Sequence, residues 1–309
     1  MIGGVLAGIS VGLVLPVQTT INTRLGRRMG SVFAASLVSF SVGTLVLLVA
    51  LGVTRPGIAW DTLPRQPWWI WSGGLCGVAF LTFNIVLMRA LGASSAVVLP
   101  IVGQVVGGVL IDATGALGAT RVALGPTRGA GALLVVLGAV LANMRPRRGG
   151  VSADDQGGPG RLRVLALGGA AVLTGTLSAV QATVNGRLGV VSGSALLAAA
   201  VSFVVGTLTL VVVVSALRVQ PRLREVTATE PWWIWIGGVL GAGFVLANSA
   251  IAPVLGTGLT VSVVLRGQIV LGLVVDHVGL LGAPRRPVGA LRVLGALTVL
   301  AGVALVRLV

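Results

Sequence analysis

Side chains able to do chemistry recur here at fixed spacing inside otherwise apolar sequence. Gln18 and Asn22 stand four residues apart, and Gln181 and Asn185 repeat that spacing, so each pair shares one helix face. Asn84 and Asn248 sit within apolar runs, Gln104 and Gln268 each follow a glycine, and Asp112 and Asp276 close apolar runs ahead of Gly115 and Gly279. An amide in hydrocarbon needs a partner. These amides therefore either bond between helices or line a polar, substrate-binding cavity; for Asn22 and Asn185, near the ends of their apolar runs, helix capping is a third role. Asp112, Asp276 and His277 are the candidates for carrying a coupling proton; the acids' other role is to pair with a loop arginine, and a lone histidine at a helix end is otherwise simply solvated. Arg266 breaks an apolar run where the corresponding residue is Val102. A central arginine faces a cavity or a partner, so it reads as an ion-pair member, a contact for an anionic or carbonyl-bearing substrate, or the end of a shorter span. No phosphate-binding loop, zinc spacing or nucleophile elbow is present, so catalysis, a cofactor and a metal site lack support.

The elements that must position these groups follow from composition. The 309 residues are 55% hydrophobic and 9% charged, with 47 glycines and a mean hydropathy of +1.04. An ordinary soluble domain carries roughly 25% charged residues. A soluble enzyme, a disordered chain and a disulfide scaffold are excluded, and a polytopic helical membrane protein remains. The net charge of +15 comes from arginines set between long apolar runs, which fits anchoring to anionic lipid and not nucleic acid. Cys76 stands alone and forms no internal disulfide. Ile2 to Thr23 lacks a basic n-region and a cleavage site, and reads as a retained first span.

Ten runs are long enough to cross a bilayer: 2–22, 32–53, 69–88, 94–112, 125–143, 164–186, 194–217, 232–252, 257–275 and 289–307. Arg128 and Arg292 near the starts of the fifth and tenth are placed to snorkel. The polar stretch 145–163 divides a first five-helix repeat, 1–144, from a second, 164–309. QTTINTRLG at Gln18–Gly26 returns as QATVNGRLG at Gln181–Gly189, an offset of 163, and PWWIW at Pro67–Trp71 returns at Pro231–Trp235, an offset of 164. Such agreement marks a duplication. Five is odd, so the second repeat enters the membrane from the opposite side. The fold is therefore all-α, two inverted five-helix repeats with a site near the midplane between them. Arginines concentrate in alternate loops, 15 of 22 when Arg292 at the start of the tenth span is counted with its loop, which places the linker in the cytoplasm and both termini outside. Gly4, Gly8 and Gly12, with Gly73/Gly77 and Gly237/Gly241, form small-residue packing ridges, and the tryptophans after Pro67 and Pro231 suit the membrane interface.

Q-x-x-x-N-x-x-L-G in the first and sixth spans, S-F-x-x-G-T-L in the second and seventh, P-W-W before the third and eighth, and G-Q with a following Asp resemble the YdcZ-like family of the drug/metabolite transporter superfamily. The resemblance runs through both halves. It implies a ten-helix, EamA-like transporter of the bacterial inner membrane, an exporter of small metabolites or drug-like molecules whose substrate and coupling ion are unassigned. Small multidrug resistance relatives carry an intramembrane Glu in the first helix; here the first and sixth spans hold no acid, so that route of proton coupling does not carry over. The expected partners are a small-molecule substrate, the lipid bilayer, and protons or another coupling ion, in a monomer or weak homodimer. A channel-like facilitator with a similar pore is the second reading, and a non-transporting scaffold the third.

Overall fold

The computed structural model describes residues 2–91, 93–143, 161–255, 257–283, 285 and 288–306. Residues 144–160, nearly all of the expected linker, lie outside that set. Among the described residues the chain forms eleven α-helices and no strand: α1 (Ile2–Arg28), α2 (Val32–Thr54), α3 (Gly73–Leu91), α4 (Ala93–Thr114), α5 (Pro126–Asn143), α6 (Arg161–Ser192), α7 (Ala195–Ala216), α8 (Leu223–Thr229), α9 (Gly237–Leu255), α10 (Thr257–Val278) and α11 (Ala290–Leu305). Ten match the expected spans; the seven-residue α8 does not. In hydrocarbon every backbone N–H and C=O must be satisfied within its own segment, which makes helices of these apolar runs. Over their described residues α2, α3, α4, α6 and α7 are long and apolar enough to span a membrane, and α5, α9 and α11 are shorter apolar helices.

Several expected boundaries move, for local reasons. Pro67 and Pro231 are extended, with ψ of 150° and 156°, and the tryptophan runs after them form 3₁₀ turns, so α3 and α9 begin only at Gly73 and Gly237. The first and sixth helices run on to Arg28 and Ser192. Asn22 and Asn185 are thus interior to their helices and cap nothing. The stops come at Gly30 and Gly193, whose φ of +69° and +72° favour glycine, and Ser31 and Ser194 then cap α2 and α7 by accepting the N–H of Ala34 and Leu197.

The repeats interlock. α1 packs on α9 and α10, α6 on α3 and α4, α2 on α7, and α5 on α11. Each contact has its counterpart under exchange of halves. On the pseudo-two-fold itself Phe40 meets Phe203 with ring centroids 4.8 Å apart, and the Thr44 and Thr207 hydroxyls lie 2.8 Å apart. Glycines permit the crossings: a side chain on Gly103 would overlap the Val172 carbonyl, and one on Gly175 the Pro100 carbonyl.

Loop contacts sort into two faces. At one, Arg24 reaches Glu230 and the Leu281 carbonyl, joining the ends of α1, α8 and α10. At the other, Thr62 donates to Val191 O, the Ala59 N–H to Ser192 O, and Arg187 lies against Gly118. The equivalent arginines Arg24 and Arg187 therefore stand on opposite faces, as inverted repeats require. We call these the α1–α2 face and the α6–α7 face. Leu45, Leu48 and Val53 of α2 and Leu208 and Val212 of α7 are exposed, an apolar surface suited to lipid.

Candidate binding cavity

The amides gather in the interior, but unequally. A cavity of about 80 Å³ is lined by Gln104 and Asp112 of α4, Ser178, Gln181, Thr183 and Asn185 of α6, Phe244, Asn248 and Ser249 of α9, Gln268 of α10, and Val306 just past α11. Room of that size suits several waters or a small solute. Its lining runs from the middle of the molecule to Asp112, Asn185 and Val306, toward the α6–α7 face. A second, smaller cavity of about 30 Å³ sits beside it, lined by Gln18, Asn84, Phe40, Phe203 and, shared with the first, Gln181 and Phe244.

Most of these amides are held on one side only. Asn185 Nδ2 donates to Ser202 Oγ at 3.2 Å, and Asn248 Nδ2 to Phe244 O at 2.8 Å, leaving each carbonyl oxygen to accept. Gln181 Nε2 lies 3.5 Å from Ser202 Oγ. The equivalents repeat the bonds: Asn22 Nδ2 to Ser39 Oγ at 3.2 Å and Asn84 Nδ2 to Phe80 O at 2.9 Å. Asn22 nevertheless is fully buried against Gly237 and lines neither cavity. Gln104 and Gln268 are 8% and 2% exposed and both line the larger cavity, and no protein group hydrogen-bonds their amides among the described residues; Gln18, 5% exposed at the smaller cavity, likewise has no such partner there.

The acids have structural partners. Asp112 Oδ2 accepts from Arg128 Nη2 at 2.8 Å, and Asp276 Oδ2 from Arg292 Nη1 at 3.4 Å, each tying one helix to the next. Arg128 is 3% exposed, so it pairs in place of snorkelling. Replacing Asp112 by Asn is expected to strand that guanidinium and cost about 3–5 kcal/mol, with recovery when Arg128 is replaced as well; thermal unfolding of the singles and the double in detergent checks this. His277 is exposed at the end of α10. Arg266 is half-buried on α10, lines neither cavity, and forms no ion pair among the described residues.

One cluster escaped the reading of the sequence. Glu230, its side chain wholly buried, accepts from Arg24 Nε at 2.7 Å and pairs with Arg28, while Arg24 also lies 5.0 Å over the Trp233 ring. α8 places it: Val226 is fully buried, and the Glu230 N–H closes the helix on Val226 O. The signal was in the repeat, because the equivalent of Glu230 is Gln66 and that of Arg28 is Val191.

The comparisons agree with this architecture. The family described as "Putative inner membrane exporter, YdcZ" matches residues 3–141 and again 166–305. The inner membrane protein YdcZ of Escherichia coli (strain K12) is 29% identical over 140 residues, which cover 44% of this chain and 92% of that protein, so the relative has the length of one repeat. A solved crystal structure superposes with a TM-score of 0.62 at 19% identity, covering 99% of this chain and 98% of its own, a likeness of fold. With the family matched once in each half, on an all-helical fold built from two such halves, the chain belongs to the YdcZ family of multi-pass bacterial inner membrane transporters.

Proposed function

We propose that the protein is a secondary transporter that exports a small molecule by alternating access. Repeats 1–144 and 164–309, joined by the linker 145–163, rock about a site formed by Gln18, Asn22, Asn84, Gln104, Gln181, Asn185, Asn248 and Gln268, with Asp112 the coupling candidate that the cavity reaches. One observation supports the reading: the larger cavity meets Gln104, Gln181, Asn185, Asn248 and Gln268 but not Gln18, Asn22 or Asn84, and its lining extends toward the α6–α7 face, while Glu230, Arg24 and Arg28 join the elements of the α1–α2 face. Exchanging the conformations of two inverted repeats converts such a state into its opposite. Gln104 and Gln268 then trade places at the centre, and Gln18, Asn22 and Asn84 take over from Gln181, Asn185 and Asn248.

Cysteines replacing Ser178 and its counterpart Leu15, each in a Cys76→Ser background, test the mechanism without a known substrate. Alternating access predicts that a membrane-impermeant maleimide reaches Ser178→Cys from the α6–α7 face and Leu15→Cys from the α1–α2 face, and that fixing one site open protects the other. Simultaneous access from both faces would establish the channel-like facilitator instead.

The linker and the α1–α2 face are assigned to the cytoplasm. Asp61 and Glu225 are exposed on opposite faces. In intact cells Asp61→Cys should therefore label and Glu225→Cys should stay protected. The opposite result would invert the orientation and leave the repeat relation standing.

A further inference from the structure

We infer that the cavity takes an uncharged molecule bearing an amide-like group, and that this group docks between Gln104 and Gln268. The inference rests on the transporter reading above and names the class of its substrate.

Charge comes first. Asp112 is the one ionisable residue among the described residues of the cavity wall, and Arg128 already answers it at 2.8 Å. A cation leaving water would meet no uncommitted carboxylate there. An anion would meet no guanidinium, since Arg266 lies off the wall. Moving an ion out of water without a counter-charge is strongly unfavourable. An uncharged solute escapes that penalty.

Hydrogen bonding narrows the class. Polar groups removed from bulk water are nearly always satisfied, so two glutamines in the interior, whose amides meet the cavity and have no protein partner among the described residues, call for an explanation. Each offers N–H donors beside a carbonyl acceptor. A group that presents the same edge in reverse, as an amide, lactam or urea does, can satisfy both. The hydroxyl of Ser249, 3% exposed and without a protein partner among the described residues, extends the polar side. Val105, Phe244 and Leu265 supply an apolar wall for the rest of the molecule. The pseudo-two-fold maps Gln104 onto Gln268. The pair is therefore the same in both states, and the substrate can keep its polar contact while the flanking amides exchange.

Nicotinamide, nicotinate and the 1-methylnicotinamide cation are near-equal in size and differ in charge. The full chain in detergent is to be titrated with each while thermal unfolding is followed. Nicotinamide should raise Tm by about 2 °C or more at tenfold excess over its Kd. The two ions should not, and the shift should vanish in the Gln104→Leu/Gln268→Leu double variant. Gln268→Glu, which adds an unanswered carboxylate, should move the preference to the cation, and it serves where the double variant fails to fold. A larger shift from either ion in the natural protein, a shift that survives the double variant, or no shift from any of the three overturns the inference. Counterflow of the same probes in proteoliposomes separates it from the reading beneath it. Nicotinamide that binds without counterflow keeps the substrate class and overturns the carrier, whereas counterflow of a charged probe keeps the carrier and overturns the class.

Discussion

Replacing Glu230 by Gln should open the α1–α2 face. The carboxylate is fully buried, while the side chains of Arg24 and Arg28 are 32% and 55% exposed. Breaking a fully buried pair costs about 3–5 kcal/mol, and solvent screening of the two arginines brings the expected loss nearer 1–2 kcal/mol. These contacts join α1 of the first repeat to the α8 end of the second. On the alternating-access mechanism proposed above these contacts part when this face opens, so their loss raises the closed state alone. At about 1.4 kcal/mol per factor of ten, the population open to the α1–α2 face should rise roughly tenfold. Labelling of Leu15→Cys from that face should accelerate to match, and labelling of Ser178→Cys from the other should slow. Gln66→Glu is the mirror experiment: a carboxylate at the equivalent of Glu230, with Arg187 the equivalent of Arg24, should draw the α6–α7 face shut and reverse both rates. If Glu230→Gln lowers Tm and leaves both labelling rates unchanged, the cluster only braces the fold.

Gly103→Val and Gly175→Val should each prevent stable folding. At these positions α4 and α6 cross so closely that a Cβ would overlap a backbone carbonyl, and a carbonyl cannot rotate aside as a side chain does. The helices would have to separate along their length, at about 3 kcal/mol or more. Gly243, on α9, has open space around it, so Gly243→Ala should be neutral or gain up to about 1 kcal/mol from helix propensity. Yield of monodisperse protein and Tm in detergent measure both. A well-folded Gly103→Val protein would show that the α4–α6 crossing is looser than this geometry allows.

Much of this architecture can be read from residues alone. The 163- and 164-residue offsets force a duplication, and five apolar runs per half force its inversion. The paired amides mark the interior because nothing else accounts for them in hydrocarbon. What escaped has a common physical origin. Asn22 and Asn185 stand in nearly identical nine-residue motifs and each lies against a glycine, Gly237 and Gly73, yet only Asn185 lines the larger cavity. The motif is symmetric and the conformation is not. Which half the cavity favours is set by the packing of the whole helix bundle, and no local pattern records it. Glu230 was overlooked for a related reason. Its short helix is not apolar enough to register as a span, and its meaning lies in the contrast with Gln66 across the repeat. The tryptophan segments read as part of α3 and α9 because hydrophobicity does not separate a 3₁₀ turn from the first turn of a helix.

On the alternating-access mechanism proposed above, a buried Glu230 with Gln66 at the equivalent position has a kinetic consequence. A chain of one-repeat length that pairs with a copy of itself carries every substitution twice, so a latch of this kind would tighten both mouths equally and leave the two states equal in energy. Fusion removes that tie. With Glu230 at one mouth and Gln66 at the other, the resting ensemble would lean toward the state whose cavity opens on the α6–α7 face. A solute arriving from the α1–α2 face would then wait for a minority conformation, and its apparent affinity would fall by the fraction of molecules in that conformation. One side chain, placed once, would thus give such a carrier different half-saturation concentrations for the same molecule on the two sides of the membrane, without changing the contacts that recognise it.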